Sequence, residues 1–116
     1  MSDATCVLRA SGRRFAAKRY LATSTFVARV VTDNSFDFVV SERGPDDPAG
    51  QIADAERFLT NKQLNLSRLL GFPGVERVAL VFHVRAVGAT SFVMPARLSA
   101  ELGRHGLELE VSVSTG

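Results

Sequence analysis

From Gly106 to Ser114 the chain alternates apolar and polar residues without a break. Leu107, Leu109, Val111 and Val113 fall on one side and Glu108, Glu110, Ser112 and Ser114 on the other. A period of two is that of a β-strand with one covered face. The same period runs through Glu76–Val87, where Val78, Leu80, Phe82 and Val84 share one side and Ala79, Val81, His83 and Arg85 the other, so that even the second side is partly apolar. Thr25–Thr32 and Ser35–Ser41 are rich in β-branched and aromatic residues, and Asp33-Asn34 between them is turn chemistry, so they predict a hairpin with Phe36, Phe38 and Val40 on one face. Thr5–Ala10 predicts a first strand ended by Ser11-Gly12, and Ser91–Met94 a short edge strand.

Helical spacing appears between these strands. Arg13–Ala22 predicts a short helix that turns Phe15, Ala17, Tyr20 and Leu21 inward. Asp47 is a good N-cap and Pro48 a good first helical residue, after which Ile52, Ala55, Phe58 or Leu59, Leu66, Leu69 and Leu70 recur at helical spacing until Gly71 and Pro73 stop them. Read as one helix, residues 48–70 would span about 34 Å. Pro95–His105 predicts the last helix, directly before the closing strand. The order is strand, helix, hairpin, long helix, strand, helix, strand. It predicts a single α+β domain over residues 1–116: a two-layer sandwich with a mostly antiparallel sheet, two or three helices, and a ferredoxin-like core extended by one αβ unit.

Composition agrees with a chain that builds its own core. Its 116 residues are 46% hydrophobic and 22% charged, far from the profile of a disordered chain. The single cysteine, Cys6, excludes an internal disulfide, and the start MSDATC lacks a basic then apolar leader, so a cytoplasmic protein is expected. No apolar run reaches the roughly 20 residues of a membrane span. A net charge of +2, from 14 Lys and Arg against 12 Asp and Glu, is too small to argue by itself for nucleic acid, which is not expected as a partner. Its distribution is more telling. Arg9, Arg13, Arg14, Lys18, Arg19 and Arg29 precede Asp33 with Asp3 as the one acid, whereas acids gather between Asp33 and Glu56.

No motif carries chemistry. Cys6, His83 and His105 lie in separate elements, so no metal site, cofactor or catalytic residue is predicted. There is no nucleophile elbow, and Gly71–Gly74 lacks the lysine of a phosphate loop. Two groups remain as candidate binding residues. Arg13, Arg14, Lys18 and Arg19 would place a basic ridge on the first helix, positions 14 and 18 being one turn apart. Asp46 and Asp47, with Glu42, Asp54 and Glu56 nearby, would offer carboxylates around the Glu42–Gly50 loop.

In order along the chain, CVLRASGRRF (6–15), YLATS (20–24), FVVSE (38–42), QIADAERFL (51–59), GFPGVE (71–76) and PARLSAELGRHGLELEVSV (95–113) resemble a family of short bacterial proteins known as a domain of unknown function. The resemblance covers nearly the whole chain and rests on packing motifs, so it implies a shared scaffold and no reaction. Relatives carry acids shortly after the Phe15 position and an aromatic near the end, where this chain has Lys18-Arg19 and Val113-Ser-Thr-Gly; an acidic site shared by the family would be missing here.

The expected function is therefore a non-enzymatic protein-binding domain of the immunity-like or antitoxin-like kind, with a protein partner or self-association as a homodimer, and no membrane. A small-ligand binder or enzyme using the carboxylates of residues 42–56 is the alternative.

Overall fold

The computed structural model describes residues 6–24, 28–44, 47–86 and 94–115. Its elements are β1 (Cys6–Ser11), α1 (Ala17–Ala22), β2 (Ala28–Val31), β3 (Ser35–Ser41), α2 (Pro48–Asn61), α3 (Gln63–Leu70), β4 (Arg77–Ala86), α4 (Ala96–His105) and β5 (Glu108–Thr115). The strands form one sheet in the order β2-β3-β1-β4-β5. β1 lies antiparallel between β3 and β4, β2 pairs antiparallel with β3, and β5 pairs parallel with β4. The fold is thus α+β with a mixed, mostly antiparallel sheet. The final helix and strand add a parallel edge, since a parallel neighbour needs a crossover and α4 supplies it.

The period-two residues decide which face is covered. Leu8 opposes Leu80 and Phe38, and Ala10 opposes Val78 and Phe36, so these side chains share the face on which the helices lie. Ile52, Ala55, Phe58 and Leu59 from α2, Leu66 and Leu69 from α3, and Leu98 and Leu102 from α4 complete the core. Each fully buried Leu or Phe contributes about 2 kcal/mol, which makes this layer the main source of stability.

Two expectations are corrected. The run 48–70 is two helices rather than one, because the backbone turns at Lys62 (φ −116°, ψ 25°). The Lys62 N–H still donates to Phe58 O, while the Leu66 N–H donates to Lys62 O, so the axis is re-aimed with little loss of hydrogen bonding and Leu66 and Leu69 reach the core. This brings the helices to four among the described residues. The second correction concerns α1, which starts at Ala17 and not at Arg13. The predicted edge strand falls on residues 91–93, outside the described residues, and Met94 is not in a strand.

Among the described residues the opposite face of the sheet carries no helix. Val7, Ala79 and Val81 are nevertheless buried there, with Val39 against them. Charge closes this face: Arg9 donates to both carboxylate oxygens of Asp37 at 2.8 and 3.1 Å and lies 3.6 Å from Glu110 across β4. Its aliphatic stem covers apolar surface while its head stays paired. Arg77 and Glu108 repeat the motif at 2.8 Å.

Candidate functional site

The basic N-terminal residues divide between a turn and a helix. Residues 12–16 fold tightly against the segment 72–76, where Gly12 meets Gly74 so closely that a Cβ on Gly12 would lie 1.9 Å from Gly74 O. Gly74 has φ +91°, and a Cβ on it would lie 2.3 Å from Arg14 O. Both positions therefore require glycine, one for close approach and one also for backbone hand. Hydrogen bonds from Gly12 N–H to Asn34 O, from Ala17 N–H to Asp33 O, both 3.1 Å, and from Glu76 N–H to Ser11 O at 2.9 Å lock three loops together. Arg13 and Arg14 project from this turn, so the expected ridge of positions 14 and 18 on one helix does not form.

Their partners differ. The Arg13 N–H donates to Glu76 Oε1, and its guanidinium, 91% exposed, lies 3.8 Å from the same carboxylate. Lys18 lies 3.7 Å from Asp33. Such exposed pairs contribute little to stability. Arg14 and Arg19 have no ion pair among the described residues, and the same holds for Arg29, Lys62 and Arg68. The acids are used otherwise. Of the described acids, all but Glu42 hold a basic group within 4.0 Å.

One of these arginines, Arg68, meets an aromatic cluster in space, and two others, Arg14 and Arg19, are next to its members in the chain. Phe15, Tyr20 and Phe72 touch one another with centroids 6.3, 5.8 and 5.2 Å apart, and Phe36 stacks on Tyr20 at 5.7 Å. In the chain Arg14 precedes Phe15, Arg19 precedes Tyr20, and Arg68 lies four residues before Phe72, which follows the end of α3. At this corner between α1 and α3, Tyr20, Thr23, Ser24, Asn65, Arg68 and Phe72 line a cavity of about 230 Å³. That is below the usual volume for a drug-sized ligand and suits a single side chain. Burial pushes the Tyr20 hydroxyl up in pKa, with Ser24 and Arg68 opposing; at neutral pH it is a hydrogen-bond donor and acceptor beside a cation. The larger hollow of about 580 Å³ beside Arg13, Arg14, Gly74, Val75 and Glu76 has one apolar side chain in its wall, so it lacks the lining of a small-molecule site.

The second predicted group lies at the other end of β1 and β3. Asp46 is outside the described residues. Asp47 caps α2, accepting from Gly50 N–H at 3.0 Å, and lies 3.8 Å from Arg43. Asp54 accepts from the buried Ser41 hydroxyl at 2.7 Å and from Arg43 Nε at 3.3 Å, and it is bridged by Arg57. The Ser41 hydrogen bond above all, then those arginines, holds its carboxyl below the usual carboxylate range. Glu56 is paired with Arg97 at 2.6 Å. The buried Gln51 amide donates to Gly44 O and His83 O, both at 3.1 Å, and so ties the loop to β4. A carboxylate with a depressed pKa and several donors is a poor general base. These residues build the loop.

Among the described residues no three His, Cys, Asp or Glu side chains converge to hold a metal. Cys6 is fully buried, and burial drives its thiol far above the ordinary range, which suppresses the reactive thiolate. His105, in the last turn of α4, lies 3.7 Å from Glu101. No described helix is long and apolar enough to cross a membrane. Sequence reasoning named Arg14 and Arg19 and did not name Arg68, Asn65 and Phe72, which meet Tyr20 only through tertiary contact. Their one sequence signal was Arg68 on the exposed side of the leucine-rich 63–70 segment. Comparison with protein-family models, with curated proteins and with solved structures gave no match to this chain.

Proposed function

We propose that the chain is a non-enzymatic, cytoplasmic protein-binding domain, of the immunity-like or antitoxin-like kind expected from its sequence, that receives an acidic surface of its partner on the α1–α3 corner. One observation carries this reading: almost every described acid is already ion-paired, while the cations without an ion pair among the described residues include Arg68 in the wall of the cavity beside the aromatic cluster, and Arg14 and Arg19 next in the chain to Phe15 and Tyr20 of that cluster. The Arg68 guanidinium, without an ion pair among the described residues and in the wall of a small polar cavity, suits an incoming Asp or Glu, which an arginine fork binds bidentately. Membership of the family that the sequence resembles belongs to the same proposal.

Nucleic acid fits less well. Single-stranded RNA is read by aromatics exposed on a sheet, whereas the helix-free face here carries Asp37, Glu108 and Glu110 held by Arg9 and Arg77. An enzyme or ligand site on the carboxylates of residues 42–56 has the weaker support, because Asp47, Asp54 and Glu56 are occupied by caps and ion pairs.

The test is affinity capture from nuclease-treated native lysate with the wild-type chain and with the Arg14→Glu, Arg19→Glu, Arg68→Glu triple variant. Wild type should recover a specific protein that the folded variant loses, and the interaction of the purified pair should weaken with salt. Equal recovery by both baits would rule the corner out.

A further inference from the structure

We infer that β5 is a self-pairing edge, through which two copies of the chain join antiparallel in a register centred on Val111. This inference stands on different residues from the α1–α3 corner. The two sites lie at opposite ends of the strand order, so one can be occupied without the other.

The two outer strands of the sheet are built differently. β2 is described over Ala28–Val31, its register with β3 shifts between Ala28 and Val30, and it carries Arg29, which has no ion pair among the described residues. A bulge and an exposed cation are devices that stop an edge from pairing with another chain. β5 has neither of them. Its eight residues run in unbroken register with β4 from Ala79↔Glu108 to Ala86↔Thr115, and they include no proline, lysine or arginine. Among the described residues β4 is its sole strand partner.

The side chains of β5 also lack the usual defence. Leu109 and Val113 are 43% and 57% exposed, with the half-buried Val111 between them on the helix side. On the other side Glu108 is held by Arg77 at 2.8 Å and Glu110 lies 3.6 Å from Arg9. Glu108 is thus drawn toward β4 and paired there, and Glu110 toward β1, where it shares Arg9 with Asp37.

Register follows from symmetry. A twofold axis perpendicular to the sheet places one residue opposite itself and keeps the same face on the same side. Centred on Val111, it sets Leu109 opposite Val113 of the other copy, Val111 opposite Val111 and Glu110 opposite Ser112. Apolar residues meet apolar ones and the acid meets a hydroxyl. Centring on Glu110 would oppose two glutamates, and centring on Leu109 would oppose Glu108 with Glu110. Centring on Ser112 would leave Leu109 facing Thr115 rather than an apolar partner. The Val111 register alone matches every apolar position, and it leaves the helices of both copies on the same side of a continuous sheet.

Single cysteines on the full chain test this, with the buried Cys6 left in place and wild type as the control. Under mild oxidation Val111→Cys should form a disulfide-linked dimer by itself. Leu109→Cys and Val113→Cys should cross-link only when mixed, since like positions four residues out of register lie roughly 13 Å apart. In light scattering wild type should be a dimer, and Val113→Lys, folded by circular dichroism, should weaken dimerisation at least about tenfold by placing two cations against Leu109 of the opposite copy. A wild-type monomer at all attainable concentrations overturns the proposal. So does a dimer in which Val111→Cys fails to cross-link, or in which Leu109→Cys cross-links to itself. The triple arginine variant of the corner should dimerise like wild type, so loss of the partner and loss of the dimer are separate results.

Discussion

Replacing Asp54 by alanine isolates the role of the loop carboxylates. Asp54 is 16% exposed in its side chain, and it accepts the Ser41 hydroxyl at 2.7 Å. Ser41 itself is 3% exposed, so removing Asp54 removes a buried hydrogen bond to a carboxylate. A hydrogen bond to a charged group of this kind contributes about 1.5–3 kcal/mol. Arg43 and Arg57 are more than half exposed, and each adds no more than about 0.5 kcal/mol after solvent screening. Asp54→Ala should therefore cost about 2–3 kcal/mol at pH 7, a large share of the stability of a domain this size. Urea unfolding with unchanged m-value measures it. The sign with pH follows from the depressed carboxyl: the contribution is full above the unfolded-state pKa of about 3.9 and is lost as pH falls through the lower folded-state value. The gap between wild type and variant should then be widest near neutrality and shrink on acidification below about pH 4. A loss under about 0.5 kcal/mol, or a loss that does not change between neutral and strongly acidic pH, would refute the reasoning.

Further outcomes follow from the same contacts. Gly74→Ala places a Cβ 2.3 Å from Arg14 O at φ +91°; strain in the left-handed region alone costs about 1–2 kcal/mol, so thermal unfolding should fall by at least about 5 °C, and an unchanged midpoint would contradict the geometry. Cys6 should resist a thiol reagent such as DTNB in the native state and react at once in denaturant, because it is fully buried with a raised thiol pKa; rapid native labelling would show that β1 opens readily. Arg14→Glu and Arg68→Glu, both exposed and without ion pairs, should each alter stability by less than about 0.5 kcal/mol, measured in the same urea assay, and a larger loss would make them structural.

Much of the fold is legible because strand faces are written locally. The alternation in Glu76–Val87 and Gly106–Ser114 predicts which residues of β4 and β5 turn inward, and Leu80 and Leu109 do share a face. The break at Lys62 is not legible: Phe58 and Leu66 keep a spacing that one continuous helix would also produce, and neither glycine nor proline marks the turn. The late start of α1 is hidden for another reason. It depends on Gly12 meeting Gly74, a contact made across the fold. The same distance in sequence conceals the candidate site, since Phe15, Tyr20 and Phe72 converge only once α3 folds back toward α1. Asp54 looked available as a reactive carboxylate because Ser41, Arg43 and Arg57 claim it only in the folded chain.

The central claim, that the α1–α3 corner receives an acidic protein surface, is tested most directly by amide chemical-shift mapping of the labelled chain titrated with its purified captured partner at two salt concentrations. The account predicts perturbations concentrated around Arg14, Arg19, Asn65, Arg68 and Phe72, with affinity falling as salt rises. Perturbations centred on residues 41–54, or binding that salt leaves unchanged, would contradict it.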